Sequence, residues 1–206
     1  MDKRIITVSR EFGSGGRSIA KELANRLGWK YYDKELVKQV ADETGFSPEF
    51  IEERGELASS GSRLAYAMFG RGGTPGVMRG MSANDFLWCI QQDVILKLAE
   101  QGNCVIVGRC ADYALHNHEK CLNVFIHADK DVRIAEVCKR MDISVNKAKD
   151  MIQKQDKQRA SYYNYYSNKK WGDSRNYHLT LDSSVLGIDG CVDMILACRE
   201  KMLEKK

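Results

Sequence analysis

The chain has 206 residues, 43% of them hydrophobic and 29% charged, and carries a formal net charge of +4. That is length for one ordinary domain with a buried core, and a composition usual for a soluble globular protein. The small positive excess suits an anionic substrate but forms no block of like charge, so nucleic acid is not expected as a partner.

Residues 4–9 form a β-branched run that predicts a strand. A glycine cluster follows, and then Ile19, Leu23 and Leu27 recur at helical spacing up to a glycine stop at Gly28. Residues 29–32 predict a short second strand ending at Asp33. Two helices are expected between 34 and about 58, broken at Gly45-Phe46-Ser47-Pro48, where Ser47 can cap and Pro48 opens the next helix. The stretch 59–82 mixes six glycines with Arg63, Arg71 and Arg79, which predicts a mobile or functional loop.

A helix is expected over 84–101, with Leu87, Ile90, Val94 and Leu98 as its apolar face. Residues 104–107 are continuously apolar, as in a strand buried on both faces, and stop at Gly108-Arg109. Residues 122–127 predict another strand, 131–140 and 145–167 charged amphipathic helices, 177–182 a last strand and 188–204 a closing helix. Strands alternating with helices predict an α/β fold with a parallel sheet flanked by helices. No long apolar run occurs, so neither a signal peptide nor a membrane span is expected. The seven cysteines contain no Cys-x-x-Cys pair and read as free thiols of a cytoplasmic protein. Cys89, Cys104, Cys110 and Cys121 are taken as small buried hydrophobes rather than metal ligands.

The chemistry is expected at Gly13-Ser14-Gly15-Gly16-Arg17-Ser18. A strand, a glycine-rich turn and a helix together present backbone N–H groups and a positive helix end to phosphate. The strict pattern G-x-x-x-x-G-K-[ST] is not met. If Gly16-Arg17-Ser18 occupies its end, Arg17 takes the place of the lysine; if Gly15-Gly16-Arg17-Ser18 is aligned with Gly-Lys-Gly-Thr, Gly16 does. Either alignment lacks the leading glycine and the lysine, and either leaves Ser18 with a hydroxyl that could approach Mg²⁺. Arg17 is the cation inside the loop, with Arg10 and Lys21 nearby, and a guanidinium delivers its charge as a rigid fork rather than a point. A dinucleotide fingerprint fits less well, because Ser18 stands at its third glycine and Asp33 comes too early for the ribose acid.

Ligands of open α/β sheets gather at the carboxyl ends of strands. Asp33 there could orient an acceptor hydroxyl or cap the following helix. Arg109, after a buried strand, reads as a phosphate clamp; Asp129 and Asp131 follow the next strand. Asp156 and Arg159 sit three apart, either as a surface ion pair or as part of a helical lid that closes cations over a nucleotide. The tyrosines at 162, 163, 165 and 166 share one broad helix face and are read as packing.

As a set, the chain resembles the cytidylate kinase-like family of P-loop proteins. The resemblance rests on Ser9-Arg10-Glu11-Phe12-Gly13-Ser14-Gly15-Gly16-Arg17, Leu27-Gly28 with Tyr32-Asp33, Val105-Ile106-Val107-Gly108-Arg109, Asp156-x-x-Arg159 with the tyrosines after it, and the run from Tyr177 to Ser184. It implies a P-loop NTPase fold in one domain, with an acceptor-binding segment at about 34–102 and a lid at about 140–172. It also implies a kinase using ATP and Mg²⁺, with a pyrimidine nucleoside monophosphate as acceptor, and phosphate or lid roles for Arg109, Asp156 and Arg159. Three departures stand out. Gly-Lys-Gly-Thr is replaced in the loop, Cys110 stands where Asp follows Gly-Arg, and Asp33-Lys34-Glu35-Leu36 replaces Asp-Thr-Gly-Ala. Another hydroxyl-bearing acceptor, and a non-catalytic nucleotide sensor, are the alternatives these departures raise.

Overall fold

A computed structural model of the chain describes residues 4–54 and 82–204. Most of the glycine- and arginine-rich stretch, with Arg63, Arg71 and Arg79, lies outside the described residues. The sheet is five-stranded and wholly parallel, built from β1 (Ile5–Arg10), β2 (Lys30–Tyr32), β3 (Cys104–Val107), β4 (Cys121–His127) and β5 (Leu179–Asp182) in the order β2-β3-β1-β4-β5. Strand β1 is therefore central, with Ile5 registered to Cys104 on one side and Cys121 on the other. After β2 the order reverses across β1, so a crevice opens at the carboxyl end of that strand.

Among the described residues the α-helices are α1 (Gly16–Leu27), α2 (Lys34–Thr44), α3 (Pro48–Arg54), α4 (Ala83–Gln101), α5 (Ala111–Ala114), α6 (Lys130–Met141), α7 (Val145–Ser167) and α8 (Ser183–Glu204). Period-two alternation sorts the strand residues between two cores. Ile6, Val8, Val105, Val107, Leu122, Val124 and Ile126 pack with Ile19 and Leu23 of α1 and Val192 and Ile195 of α8. Ile5, Cys104, Ile106 and Cys121 face the other way, onto Leu36, Val40, Ile51, Leu87, Val94 and Leu98 of α2, α3 and α4. A sheet covered on both faces explains why its strands read as unbroken apolar runs.

Caps fall where the sequence puts them. Ser47 Oγ accepts from Phe50 N at 3.2 Å, and Gly28 closes α1 at φ 63° with its N–H on Ala24 and Asn25 carbonyls. The closing helix begins at Ser183, five residues before the expected 188, and is interrupted at Gly187, whose φ of 66° breaks the helical path. The last strand begins at Leu179, two residues later than expected, after a 3₁₀ turn at residues 174–176. The single-turn helix α5 has no periodicity to betray it and follows a left-handed Cys110. Cys104, Cys110, Cys121 and Cys191 are buried free thiols, whereas Cys89 is exposed, contrary to its expected burial. Among the described residues no helix is long and apolar enough to cross a membrane.

Replacing Leu23, fully buried between α1 and the sheet, by alanine should cost about 2–5 kcal/mol in urea unfolding. Leu96→Ala, at a position 44% exposed, should stay within about 0.5 kcal/mol of the parent chain.

Candidate active site

Strand β1 delivers Arg10 to the crevice, and residues 11–15 turn the chain into α1. Gly13 and Gly15 have φ of 84° and 73°, the left-handed region that a side chain disfavours. Gly16 needs its missing side chain for room, since a Cβ there would sit 2.5 Å from Arg10 Cβ. A Cβ on Gly13 would meet the Arg133 carbonyl oxygen and Val137 Cγ2, each at 3.0 Å. Gly15 is the N-cap of α1 and offers no side chain to its first-turn N–H groups, which leaves them for an anion at the positive end of the helix. Ser14 serves the loop instead. Its Oγ lies 3.0 Å from Glu11 O and 3.2 Å from Ile126 O, and its carbonyl accepts from Ser183 Oγ at 2.7 Å.

The other side of the loop is held by α6 and α7. Arg133 of α6, 6% exposed, bridges Glu11 Oε2 and Asp156 Oδ2, both at 2.6 Å. Burial disfavours its charge, but the hydrogen bonds and fields of the two carboxylates prevail and hold the guanidinium above its ordinary pKa. Asp156 Oδ1 also accepts from Phe12 N at 2.7 Å. Its carboxylate thus faces the loop and Arg133 rather than pairing with Arg159 on the surface. Arg159 donates to the Arg10 carbonyl at 3.1 Å and lies 5.6 Å from the centre of the Phe12 ring, with Arg140 5.3 Å from the same ring.

Arg17 and Asp33 meet as a bidentate pair, Nε to Oδ2 at 2.9 Å and Nη2 to Oδ1 at 3.3 Å. Asp33 stands at the N-cap of α2 without capping it, and its second partner is the Tyr31 hydroxyl at 3.4 Å. Burial first, and the Asp33 charge next, push the Tyr31 phenol up to about 12. Arg17 is 57% exposed, so its pair with Asp33 is strongly screened and readily exchanged for a ligand anion.

After β3 the backbone takes three successive left-handed steps, with φ of 69° at Gly108, 55° at Arg109 and 53° at Cys110. For the latter two this is an unfavourable region that the surrounding packing must hold, the kind of strain found at binding sites. The turn aims Arg109 across the mouth of the crevice, where Nη1 donates to the Ile51 carbonyl at 3.1 Å. Beside it lies a narrow cleft, open to solvent, lined by Arg10, Arg109, Cys110 and Arg159 together with Tyr163 and Trp171. Behind that wall Tyr163 donates to Asp112 Oδ2 at 2.8 Å; burial pushes the Asp112 carboxyl upward, against this hydrogen bond. Three of the four tyrosines pack as expected, Tyr166 stacking on Trp88 at 4.3 Å and 6° and Tyr162 and Tyr163 buried, whereas Tyr165 is 58% exposed.

The structure therefore brings Arg10, Arg109 and Arg159 to one cleft, puts Arg17 and Asp33 at its α1–α2 flank, and sets Asp156 beneath the loop. Asp129, a strand-end candidate, caps α6 by accepting from Asp131 N at 2.8 Å. Sequence reasoning missed Glu11, Arg133 and Ser183, which shape the loop. Only their positions signalled them: beside the loop for Glu11, and after the fourth and fifth strands for Arg133 and Ser183. The glycine cradle over an uncapped helix end fits a nucleotide phosphate. Among the described residues no three His, Cys, Asp or Glu side chains converge on a metal position. Mg²⁺ held largely by phosphate and water needs only a protein oxygen or two, and Ser18, exposed on the first turn of α1, can supply one.

A parallel sheet of this order, with a glycine loop at the end of its central strand and arginines around it, defines a P-loop kinase fold. The profile of the cytidylate kinase-like family matches residues 5–185, and the chain belongs to that family. It is 30% identical over 167 residues to a cytidylate kinase of Pyrococcus horikoshii, covering 80% of this chain and 72% of the relative. A crystal structure of an uncharacterized protein from Eubacterium ventriosum is 30% identical and superposes with a TM-score of 0.72, covering 96% of this chain and 99% of that one. A gluconokinase from Sinorhizobium meliloti shares the fold at a TM-score of 0.56 and 15% identity, over 98% of this chain and 94% of that one. The family match and the cytidylate kinase relative make the coarse activity that of a kinase.

Gly16→Ala should destabilise the chain by about 1–3 kcal/mol in thermal melts, because the new methyl group must displace the Arg10 stem. Gly45→Ala, whose Cβ meets nothing within 4 Å, tests φ strain alone and should cost less.

Proposed function

We propose that the protein transfers the γ-phosphoryl group of ATP to a nucleoside monophosphate, with a CMP- or dCMP-like acceptor. The observation that carries this reading is the convergence of Arg10, Arg109 and Arg159 on a cleft directly beside the glycine loop. A dianionic acceptor placed there would have its phosphate next to the site of the donor phosphates. An oxygen of the acceptor phosphate attacks the γ-phosphorus, the bond to the β-phosphate bridging oxygen breaks, and ADP leaves. Phosphoryl transfer of this kind needs positioning and cations rather than a covalent partner. The N–H groups at the start of α1 hold the donor, and Arg17, released from Asp33, follows the charge onto the bridging oxygen. Arg109 and Arg159 hold the acceptor. Mg²⁺, approached by Ser18, would neutralise the donor phosphates. The helices of 34–102 would form the acceptor side and the segment 140–172 the lid.

A second reading keeps the kinase chemistry with a small hydroxyl-bearing acceptor. It is favoured by the Asp33 carboxylate, which caps nothing and sits 13% exposed at a strand terminus, where it could orient a hydroxyl.

ADP release measured over a panel of nucleoside monophosphates and small hydroxyl compounds separates these readings. CMP or dCMP should turn over fastest, and Arg109→Ala should lower kcat/KM by about 10²–10³. Turnover with hydroxyl compounds alone would select the second reading. Tight ATP binding without turnover of any acceptor would instead make the chain a nucleotide sensor.

A further inference from the structure

The donor loop of this chain departs from the usual pattern at its leading residues, and those residues are the ones that α6 and α7 grip. The Arg10 carbonyl accepts from Arg159 at 3.1 Å. The Glu11 carboxylate meets Arg133 at 2.6 Å. The Phe12 N–H is held by Asp156 at 2.7 Å, and its ring has Arg140 at 5.3 Å and Arg159 at 5.6 Å from its centre. At Gly13 the chain lies so close to the backbone of α6 that a Cβ would be 3.0 Å from Arg133 O. Four consecutive residues, the last of β1 and the first three of the loop, are therefore each fixed by the same pair of helices. At the centre of the grip is Arg133, with 7% of its side chain exposed and both terminal nitrogens engaged.

Burying a guanidinium with two carboxylates is a poor way to gain stability, since apolar packing of similar volume serves as well or better. What such a group supplies is a defined geometry, because the planar fork of arginine fixes both carboxylates at set angles. One of these carboxylates belongs to the loop itself and the other holds the loop's N–H. A freely hinged lid would leave the loop's shape unchanged as it moved. Here the hairpin of α6 and α7 cannot shift at its inner end without carrying residues 10–13 with it.

We propose that Arg133 is a positioning residue for the donor nucleotide: bridging Glu11 and Asp156, it sets the shape of the phosphate loop and thereby makes donor affinity depend on the α6–α7 hairpin. On this basis Asp156 acts through the loop rather than on the acceptor. The inference rests on the donor site proposed above, but its structural half can be tested without a substrate.

The test compares the parent chain with Arg133→Met, Arg133→Lys and Asp156→Asn. Amide hydrogen exchange is followed over residues 11–16, and titrations with ATP and separately with CMP are run at one ionic strength. Arg133→Met and Asp156→Asn should speed exchange in the loop at least tenfold while β3 amides keep their protection. ATP affinity should fall about 10- to 100-fold, the loss expected for one charge-assisted hydrogen bond, with CMP affinity within about twofold of the parent. Arg133→Lys, which keeps charge without the fork, should fall between. If Arg133→Met does not fold, the other two variants decide. Parent-like exchange in the loop, or equal losses of ATP and CMP affinity, would overturn the proposal. A parent chain that binds no ATP would sink the donor-site reading, and the exchange comparison alone would then judge the clasp.

Discussion

Between Arg10 and Gly16 the chain must leave the middle of a parallel sheet and enter a helix lying on its face. Strand β1 has hydrogen-bonded neighbours on both sides, and Glu11 N still bonds to Ile126 O at 3.0 Å after the strand has formally ended. The return into α1 then brings Gly16 against the stem of Arg10, too close for any side chain. That near-collision fixes where the first turn of α1 begins, and therefore where its N–H groups converge. The crevice at the reversal of strand order, the arginines around it and the packing of α6 over Gly13 follow from that one tight passage.

The cations around the loop are not equivalent, and their surroundings explain how a chain without the usual lysine gathers charge there. Arg10 is buried, so a ligand anion beside it would feel a field little weakened by water or salt. Arg109 is fixed by a strained turn and by a carbonyl of α3, which limits its reach to the cleft. Arg17 is the exposed one, paired with the Asp33 carboxylate in a solvent-screened contact. Arg133 lies closest to the loop's hidden side, but its two carboxylates neutralise it locally; its charge is structural.

Features carried by periodicity were legible in the sequence. The apolar stripe of α4 reappears as Leu87, Val94 and Leu98 in the core, and the unbroken apolar run of β3 is a strand covered on both faces. The glycine loop was legible because a strand and a helix flank it at fixed spacing. What could not be read were contacts made by residues of ordinary type from distant segments. Nothing in Glu11, Arg133 or Asp156 taken singly marks a buried triad, and a spacing of three between Asp156 and Arg159 fits a surface pair and a lid equally well. Asp33 showed its position but not its partner, since helix capping and pairing with Arg17 demand the same carboxylate. Element edges shifted where backbone angles alone decide, as at Gly187 and in the turn ahead of β5.

The attachments of the loop to α6 and α7 also set an order of assembly. Phe12 is joined to Asp156 across 144 positions of sequence, and Arg10 to Arg159 across 149. Such contacts close only after long stretches of intervening chain have been ordered, so they belong to the late part of folding. On a ribosome, β1 and α1 emerge early but cannot yet hold a phosphate loop of native shape. That loop is finished only when the chain beyond Arg159 has emerged and docked. The loop, which precedes those helices in the sequence, is thus among the last parts to take its working form.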